Sequence, residues 1–580
     1  MNDGKTHKET TMMQETMNQK ENTTMQTQAQ TATEQDSAVE HKTRNERELY
    51  ADAPELGRVA LENGLPNKLG GEMVTQATTG LTDQIRYSVN NPLTTTDLDF
   101  PTVLDDVLSA VGLSVKDAGG EVHFYGGADP LITSPFRFAS AAAVALAAKG
   151  VAASAIWRDR GGNDQDIAID VRKAFQRFSG FADGRWEQLN GRPPSYKWNK
   201  FNPFVETPFF RATKDGRHVV ALNIYPGLHH KALSLLNCAD SAQAINEAIA
   251  KWNAADLEEA AAEAGIVIAK VRSTEEFLQE QQYQEVLQHM PLISIEKIAD
   301  GDPRPLAVGA STPLEGIRAL GMGHVIAGAG IGRDLASFGA DVLNLWRPDD
   351  SELEPFYWDT SVGMRSAYLS DTGTDRVKLD ELLRGADVFF SNRHPGYLEQ
   401  AGLTAVDLAA HERGLIHAQV LLHGAEGPWA TRPGFDEIGA CVCGIFALGG
   451  TLENPKQPPM LPIVDNIVGW FGTIGVLQAL RRRASEGGSY RVRVSLTRVC
   501  LWLLTLGILD KEFAKKTAGS MPQHTAIPPE LFTAETPLGT YQGMTDQIEF
   551  SSLPQGFTTT VLEPMGANLA EWLPSARRAA

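Results

Sequence analysis

The chain has 580 residues, and a content of 42% hydrophobic and 21% charged residues is that of globular domains, which excludes a collagen, a coiled-coil rod or a wholly disordered polymer. Its 52 basic and 72 acidic residues leave a formal charge of −20, which repels phosphate backbones and anionic lipid and sets nucleic acid aside as a partner. Four cysteines are too few for a disulfide framework, so a reducing, cytoplasmic setting is the simplest expectation.

In chain order, residues 1–48 are rich in Thr, Gln, Glu, Asn and Lys with no aromatic before Tyr50, and they read as a disordered polar tail without the apolar core of a secretory leader. Residues 49–122 form an N-terminal extension in which Asp97–Leu113 has a helical pattern. An internal repeat follows. Val151–Phe175 and Val476–Cys500 each read as an apolar helix, a basic last turn, a Gly-Gly turn and an alternating strand, Asp-Ile-Ala-Ile-Asp-Val against Arg-Val-Arg-Val-Ser-Leu. The repeat divides the chain into a degenerate first copy with a small domain (123–305) and a second, larger domain (306–580). In the second, Gly316–Leu320, Asp341–Leu345, Val388–Ser391 and Leu415–Leu422 are expected strands, and Gly332–Phe338 and Lys378–Leu383 expected helices. Short apolar strands alternating with helices predict an α/β fold with a doubly wound, Rossmann-type parallel sheet. The apolar run Leu501–Leu509 is far shorter than the roughly 20 residues of a membrane span.

The segment Gly328-Ala329-Gly330-Ile331-Gly332 lies between an expected strand and helix and invites a dinucleotide reading, but its third glycine comes one residue early. The next strand ends in Trp346-Arg347 and not in the acid that holds a ribose, so close helix–sheet packing is the preferred reading. His229-His230 and Cys441-Val442-Cys443 have no further ligands at zinc-like spacing, and no metal is expected.

Four segments resemble class III CoA-transferases, the family of formyl-CoA and carnitine CoA-transferases: Pro313–Pro348, Ala386–Gly402, Gly424–Gly450 with Arg432-Pro433-Gly434-Phe435-Asp436, and Pro462-Ile463-Val464-Asp465-Asn466 before a long apolar helix. The resemblance covers about Pro313–Tyr541, and residues Gly127–Pro305 resemble the family's later half. It implies a Rossmann-type large domain, a smaller α/β domain and an interlocked homodimer. It also implies transfer of CoA from an acyl-CoA to a carboxylic acid through aspartyl anhydride and thioester intermediates, with coenzyme A as substrate and no bound cofactor. Asp465 matches the nucleophile, and a helix N-terminus is expected to keep its carboxylate charged; alone, the same position reads as a helix cap. Asp436 matches a second acidic position of the site, with a helix cap as the plainer reading. His324, Ile326, Arg347, Leu369, Asn392 and Arg393 match the acyl- and CoA-binding set. Arg393 replaces a family aromatic, Gln400 replaces a basic residue, and Phe435 replaces the histidine base of the family's racemases. The last change favours transfer; an acyl-CoA racemase or isomerase, or a non-catalytic acyl-CoA binder, are the alternatives.

Alignment of the two repeat strands puts Ser140 opposite Asp465. The stretch Phe136–Ala148 holds no acid, so the first copy is expected to be scaffold, with one nucleophile per chain.

Overall fold

The computed structural model describes residues 80–178, 185–195, 202–204, 208–460 and 462–574; the readings on the polar tail and on 49–79 fall outside the described residues. Helices Leu81–Asn90 and Phe100–Ser109 come first, the second inside the span read as helical and capped by Asp99, which accepts from the Thr102 N–H at 3.2 Å. Strand β1 (Gly119–Tyr125) connects through helix α1 (Phe138–Asp159) to β2 (Gln165–Asp170), which pairs with it in parallel. Helix α1 is Ala- and Val-rich on every face and is buried from Phe138 to Ile156. It is long and apolar enough to cross a bilayer, and its apolar stretch is buried inside the fold.

After the two-residue strand β3 (Gln188–Leu189), strands β4 (Phe210–Ala212), β5 (His218–Ala221) and β6 (Ile268–Lys270) form an antiparallel sheet. Helices Pro226–Leu236, Ala242–Ile249 and Ala254–Ala264 pack on it around their own apolar core, making the smaller α/β layer.

The large sheet comprises β7 (Ser294–Ala299), β8 (Arg318–Met322), β9 (Asp341–Trp346), β10 (Arg365–Tyr368), β11 (Val388–Ser391), β12 (Ile416–Leu421) and β13 (Ser489–Ser495). Its order is β10-β9-β8-β11-β12-β13-β7, parallel except for the edge strand β7. Strands buried on both faces need apolar side chains on both, and β9 and β12 are buried throughout. The expected doubly wound α/β fold is therefore present. The strand order reverses between β8 and β11, and the crevice at their carboxyl ends is where open α/β sheets bind ligands.

Helix α2 (Ala327–Ser337) follows β8 and begins five residues before the expected Gly332. Gly328 and Gly332 lie inside the helix because neighbours come too close for a side chain. A Cβ on Gly328 would sit 2.5 Å from Asn392 Cγ, and one on Gly332 2.3 Å from Met364 Sδ. At Gly323, just before the helix, a Cβ would sit 2.8 Å from the Gly328 backbone, which cannot swing aside. Gly323→Ala should therefore destabilise the protein by about 1–3 kcal/mol, read as a lower denaturation midpoint.

Helices α3 (Asp436–Cys443), α4 (Asp465–Glu486) and α5 (Leu496–Thr505) complete the second half, with strands β14 (Leu531–Thr536), β15 (Gly539–Met544) and β16 (Glu549–Phe550) near its end. The repeat is visible as α1–β2 and α4–β13, two 22-residue helices each feeding a strand, and α1 packs along α4. The halves interlock: β16 pairs with β2, β3 with β15, and β7 closes the large sheet.

Candidate active site

At the carboxyl end of β8 the chain turns through His324, Val325 and Ile326 into α2, and at the end of β11 it passes Asn392 and Arg393. Asn392 ties the two together: its Oδ1 accepts from the His324 N–H at 3.0 Å, and its Nδ2 donates to the His324 carbonyl at 3.0 Å. Arg347 leaves the end of β9 and donates through Nη2 to Asp350 Oδ1 at 2.9 Å. Arg393 Nη2 donates to Asp350 Oδ2 at 2.6 Å and also contacts His324 Nε2. Burial alone would push the Asp350 carboxyl up. The His324 and Arg347 hydrogen bonds and the Arg393 charge outweigh it and hold Asp350 well below the usual carboxylate range. Burial drives the His324 imidazole down, so the ring is neutral at pH 7 despite its acidic neighbour, and its edge packs on Trp346 at 4.6 Å between centroids. The Arg347 and Arg393 guanidinium groups each lie 5.6 Å from the centre of the Tyr397 ring. Tyr397 thereby brings an aromatic ring to the same cluster.

His324, Arg347, Asn392 and Arg393 are thus gathered at the switch point. Ile326 is buried at the start of α2 and lines a recess with Gly330, Asn466 and Trp470, so it faces the N-terminus of α4. Leu369 lies outside the polar cluster. It packs in an apolar core with Met322, Leu345 and Phe389, and its N–H donates to the Trp346 carbonyl at 2.8 Å.

The first residue of α4 is Asp465; the cap position before it is Val464, whose side chain has no polar atom, and burial and neighbouring charges, not hydrogen bonds, act on the Asp465 carboxyl. Asp436 does the capping from another helix. Its Oδ2 accepts from the N–H groups of Ile463, Val464 and Asp465 at 2.6, 2.7 and 3.1 Å. Asp436 is therefore not the cap of its own helix, and Asp465 is not the cap of α4. The expectation that the helix N-terminus keeps Asp465 charged is corrected here. Burial, and then the neighbouring Asp436 and Glu437 carboxyls, push Asp465 well above the usual range. Burial likewise raises Asp436 and, together with Asp436, Glu437. Two buried acids with a third beside them cannot all be ionised cheaply.

The first copy repeats the cap without the second acid. Asp129 accepts from the Ala139 and Ser140 N–H groups at 3.2 and 2.8 Å at the start of α1, where Ser140 stands at the Asp465 position. Two site residues were not read from the sequence. Glu352 is buried beside the His324 turn, and Tyr225, from the smaller layer, donates to Glu352 at 2.7 Å and stacks on Phe435 at 6.1 Å. Both reach the site only through tertiary packing, and no local pattern marks them. Among the described residues no group of three or more His, Cys, Asp or Glu is arranged to hold a metal; His229 pairs with Asp240 at 2.9 Å, and Cys441 and Cys443 are buried in α3.

Residues 314–537 match the sequence profile of CoA-transferase family III. Similar proteins include an acetyl-coenzyme A transferase, nodX, of Hypoxylon pulicicidum, 33% identical over 34% of this chain and 35% of its own length. An acyl-CoA transferase of Gibberella moniliformis is 27% identical over 65% of this chain and 72% of its own. The succinyl-CoA–L-malate CoA-transferase beta subunit of Chloroflexus aurantiacus is 36% identical over 31% and 48%. The chain therefore spans about a third and about half of the first and third of these relatives. A CAIB/BAIF family protein from Brucella suis is similar in structure at 22% identity over 40% of this chain and 65% of its own, with a TM-score of 0.30.

Proposed function

From the match of residues 314–537 to CoA-transferase family III we propose that the protein moves CoA from an acyl-CoA to a carboxylic acid, with Asp465 as nucleophile. The observation that carries this is the division of labour at α4: Asp436 satisfies the helix N-terminus, and the Asp465 carboxyl is left without a hydrogen-bond partner at the head of a helix whose next residue, Asn466, shares a recess with Ile326. The Asp465 carboxylate adds to the acyl-CoA carbonyl and expels CoA thiolate, leaving a mixed anhydride. The thiolate then takes the aspartyl carbonyl and releases the donor acid. The acceptor carboxylate attacks this aspartyl thioester, and returning thiolate carries the new acyl group away as its CoA thioester. Every step exchanges one carboxylate and one thiolate, so the sequence closes without an outside base. Arg347, Asn392 and Arg393 bind coenzyme A, which enters as substrate; Arg347 and Arg393 suit its phosphates because a guanidinium is a planar, permanently charged donor. The working unit in this reading is a cytoplasmic homodimer, checked by sedimentation.

Purified protein is incubated with a panel of acyl-CoAs, headed by the acetyl and succinyl thioesters and with malate among the acceptors, and the acyl-enzyme is trapped with hydroxylamine. A trapped adduct at Asp465 supports the reading, and absence of CoA exchange across the panel overturns it.

The pH dependence follows from the site. Only ionised Asp465 is nucleophilic, so kcat/KM should rise with pH as the carboxyl loses its proton. Asp436→Asn removes a neighbouring negative charge, which makes ionisation of Asp465 easier, so the rising limb should move to lower pH even as the maximum rate falls. A limb that stays in place or moves to higher pH would show that Asp436 does not act on Asp465 electrostatically.

A further inference from the structure

Among the described non-glycine residues with positive φ, only Val325 is β-branched, and its φ of 59° is in the left-handed region that such side chains resist. It lies between His324 and Ile326, in the turn that enters α2. Two side chains hold its backbone. Its N–H donates to Glu352 Oε2 at 2.8 Å, and its carbonyl accepts from Thr360 Oγ1 at 3.0 Å. Glu352, with a side chain 1% exposed, also accepts from the Tyr225 hydroxyl at 2.7 Å and from the Leu353 N–H at 2.9 Å, both through Oε1. Tyr225 stands within electrostatic range of Asp465 and Arg393, and its ring lies on Phe435, the residue before the Asp436 cap. One buried carboxylate therefore links three parts of the molecule: the strained turn, the smaller α/β layer and the surroundings of the nucleophile.

We propose that Glu352, steadied by Tyr225, is a positioning residue that holds the His324–Val325–Ile326 turn in its strained shape opposite Asp465. This rests on the CoA-transferase reading above. The strain is a reason to look for function, because a β-branched residue stays at positive φ only where its surroundings over-determine it. The turn sets where the His324 ring points, and it lines a recess in common with Asn466 at the head of α4. Its shape therefore acts on catalysis without Glu352 touching substrate.

Four variants test this: Glu352→Ala, Glu352→Gln, Tyr225→Phe and the double variant Glu352→Ala/Val325→Gly. Glu352→Ala should lower kcat by about tenfold to a hundredfold with little change in KM for acyl-CoA, because what is lost is the geometry of the reacting groups. Adding Val325→Gly should recover roughly tenfold, because glycine adopts positive φ at no steric cost and the turn no longer needs the clamp. Glu352→Gln keeps an acceptor for Val325 and should fall between. Tyr225→Phe should lower kcat several-fold at constant KM, and it answers the same question if Glu352→Ala does not fold. Hydrogen–deuterium exchange over residues 323–331 reads the clamp without catalysis: Glu352→Ala should speed it, and Val325→Gly in the double variant should slow it again. A wild-type protein that forms no Asp465 adduct would overturn the transferase reading and leave the exchange result to decide the clamp. A folded Glu352→Ala variant with unchanged kcat and exchange, or a double variant no better than the single, would overturn the clamp itself.

Discussion

Asp465→Ala is expected to lower CoA transfer by about 10⁴-fold or more while leaving the fold intact, and Asp465→Asn should behave alike, because an amide cannot form the anhydride. The structural half of this expectation separates a nucleophile from a helix cap. A side chain that caps a helix stabilises it by about 1 kcal/mol, and its loss appears as a lower melting temperature. Here the three N–H groups at the head of α4 are satisfied by Asp436, and no hydrogen bond acts on the Asp465 carboxyl. Removing it deletes a buried carboxyl that burial and two acidic neighbours already disfavour in its charged form. The sign at pH 7 follows. A carboxyl raised in the folded state holds its favourable contribution at low pH and loses it as pH rises through the raised value, so the wild-type residue is a burden at neutral pH. Asp465→Asn should therefore melt at the same temperature as the wild type or higher. Loss of activity together with a clear loss of stability would mean that the residue is structural. Retention of near-normal turnover with a genuine donor and acceptor would remove the covalent mechanism.

The strand pattern was legible because inner strands such as β9 and β11 are short and buried on both faces; Val388–Ser391 has the bounds read from sequence, and Asp341–Leu345 is one residue short of the observed strand. The start of α2 was misplaced because glycine argues against helix locally. At Gly328 and Gly332 the closeness of Asn392 and Met364 outweighs propensity, and neither neighbour is near in sequence. Asp465 stood out as an acid at the head of an apolar helix, and the resemblance gave it a role. Its charge state was not legible. It depends on Asp436, 29 residues away, and on the burial that only the fold creates. Leu369 was assigned by alignment to the binding set, but its side chain belongs to the core below the cluster. Glu352 and Tyr225 escaped notice because their meaning lies in what they touch; a glutamate after a strand and a tyrosine before a helix carry no signal of their own.

Lys149→Met should cost about 3–5 kcal/mol at pH 7, the largest stability effect expected from one substitution in the first half of the chain. Lys149 is on α1 with its side chain fully buried, and it donates to Asp334 Oδ1 at 2.7 Å and Asp546 Oδ2 at 2.9 Å. Asp334 is on α2 and also accepts from the Thr473 hydroxyl of α4 at 2.9 Å, and the ammonium lies 5.7 Å from the Trp470 ring centre, also on α4. A single cation thus fastens the first copy's helix to the helices that carry the candidate active site. Methionine fills nearly the same volume, so the cost is electrostatic: two buried carboxylates face each other without their counter-charge. Asp546, which the Lys149, Arg333 and Arg177 charges hold low against burial, loses the largest of its three cationic partners, and Asp334, raised already by burial, rises further. Carboxyls raised in the folded state above their unfolded value stabilise at low pH and destabilise as pH rises through that value. The deficit of Lys149→Met should therefore shrink as pH is lowered from 7 toward 5, when a proton takes over part of the lysine's role. Adding Asp334→Asn should recover part of the loss at pH 7, because it removes one of the two facing charges and leaves the amide able to bond Thr473. Chemical denaturation at pH 7 and pH 5 decides the matter. A variant as stable as the wild type at pH 7, or one whose deficit widens on acidification, would show that the buried cation is not what binds α1 to α2 and α4.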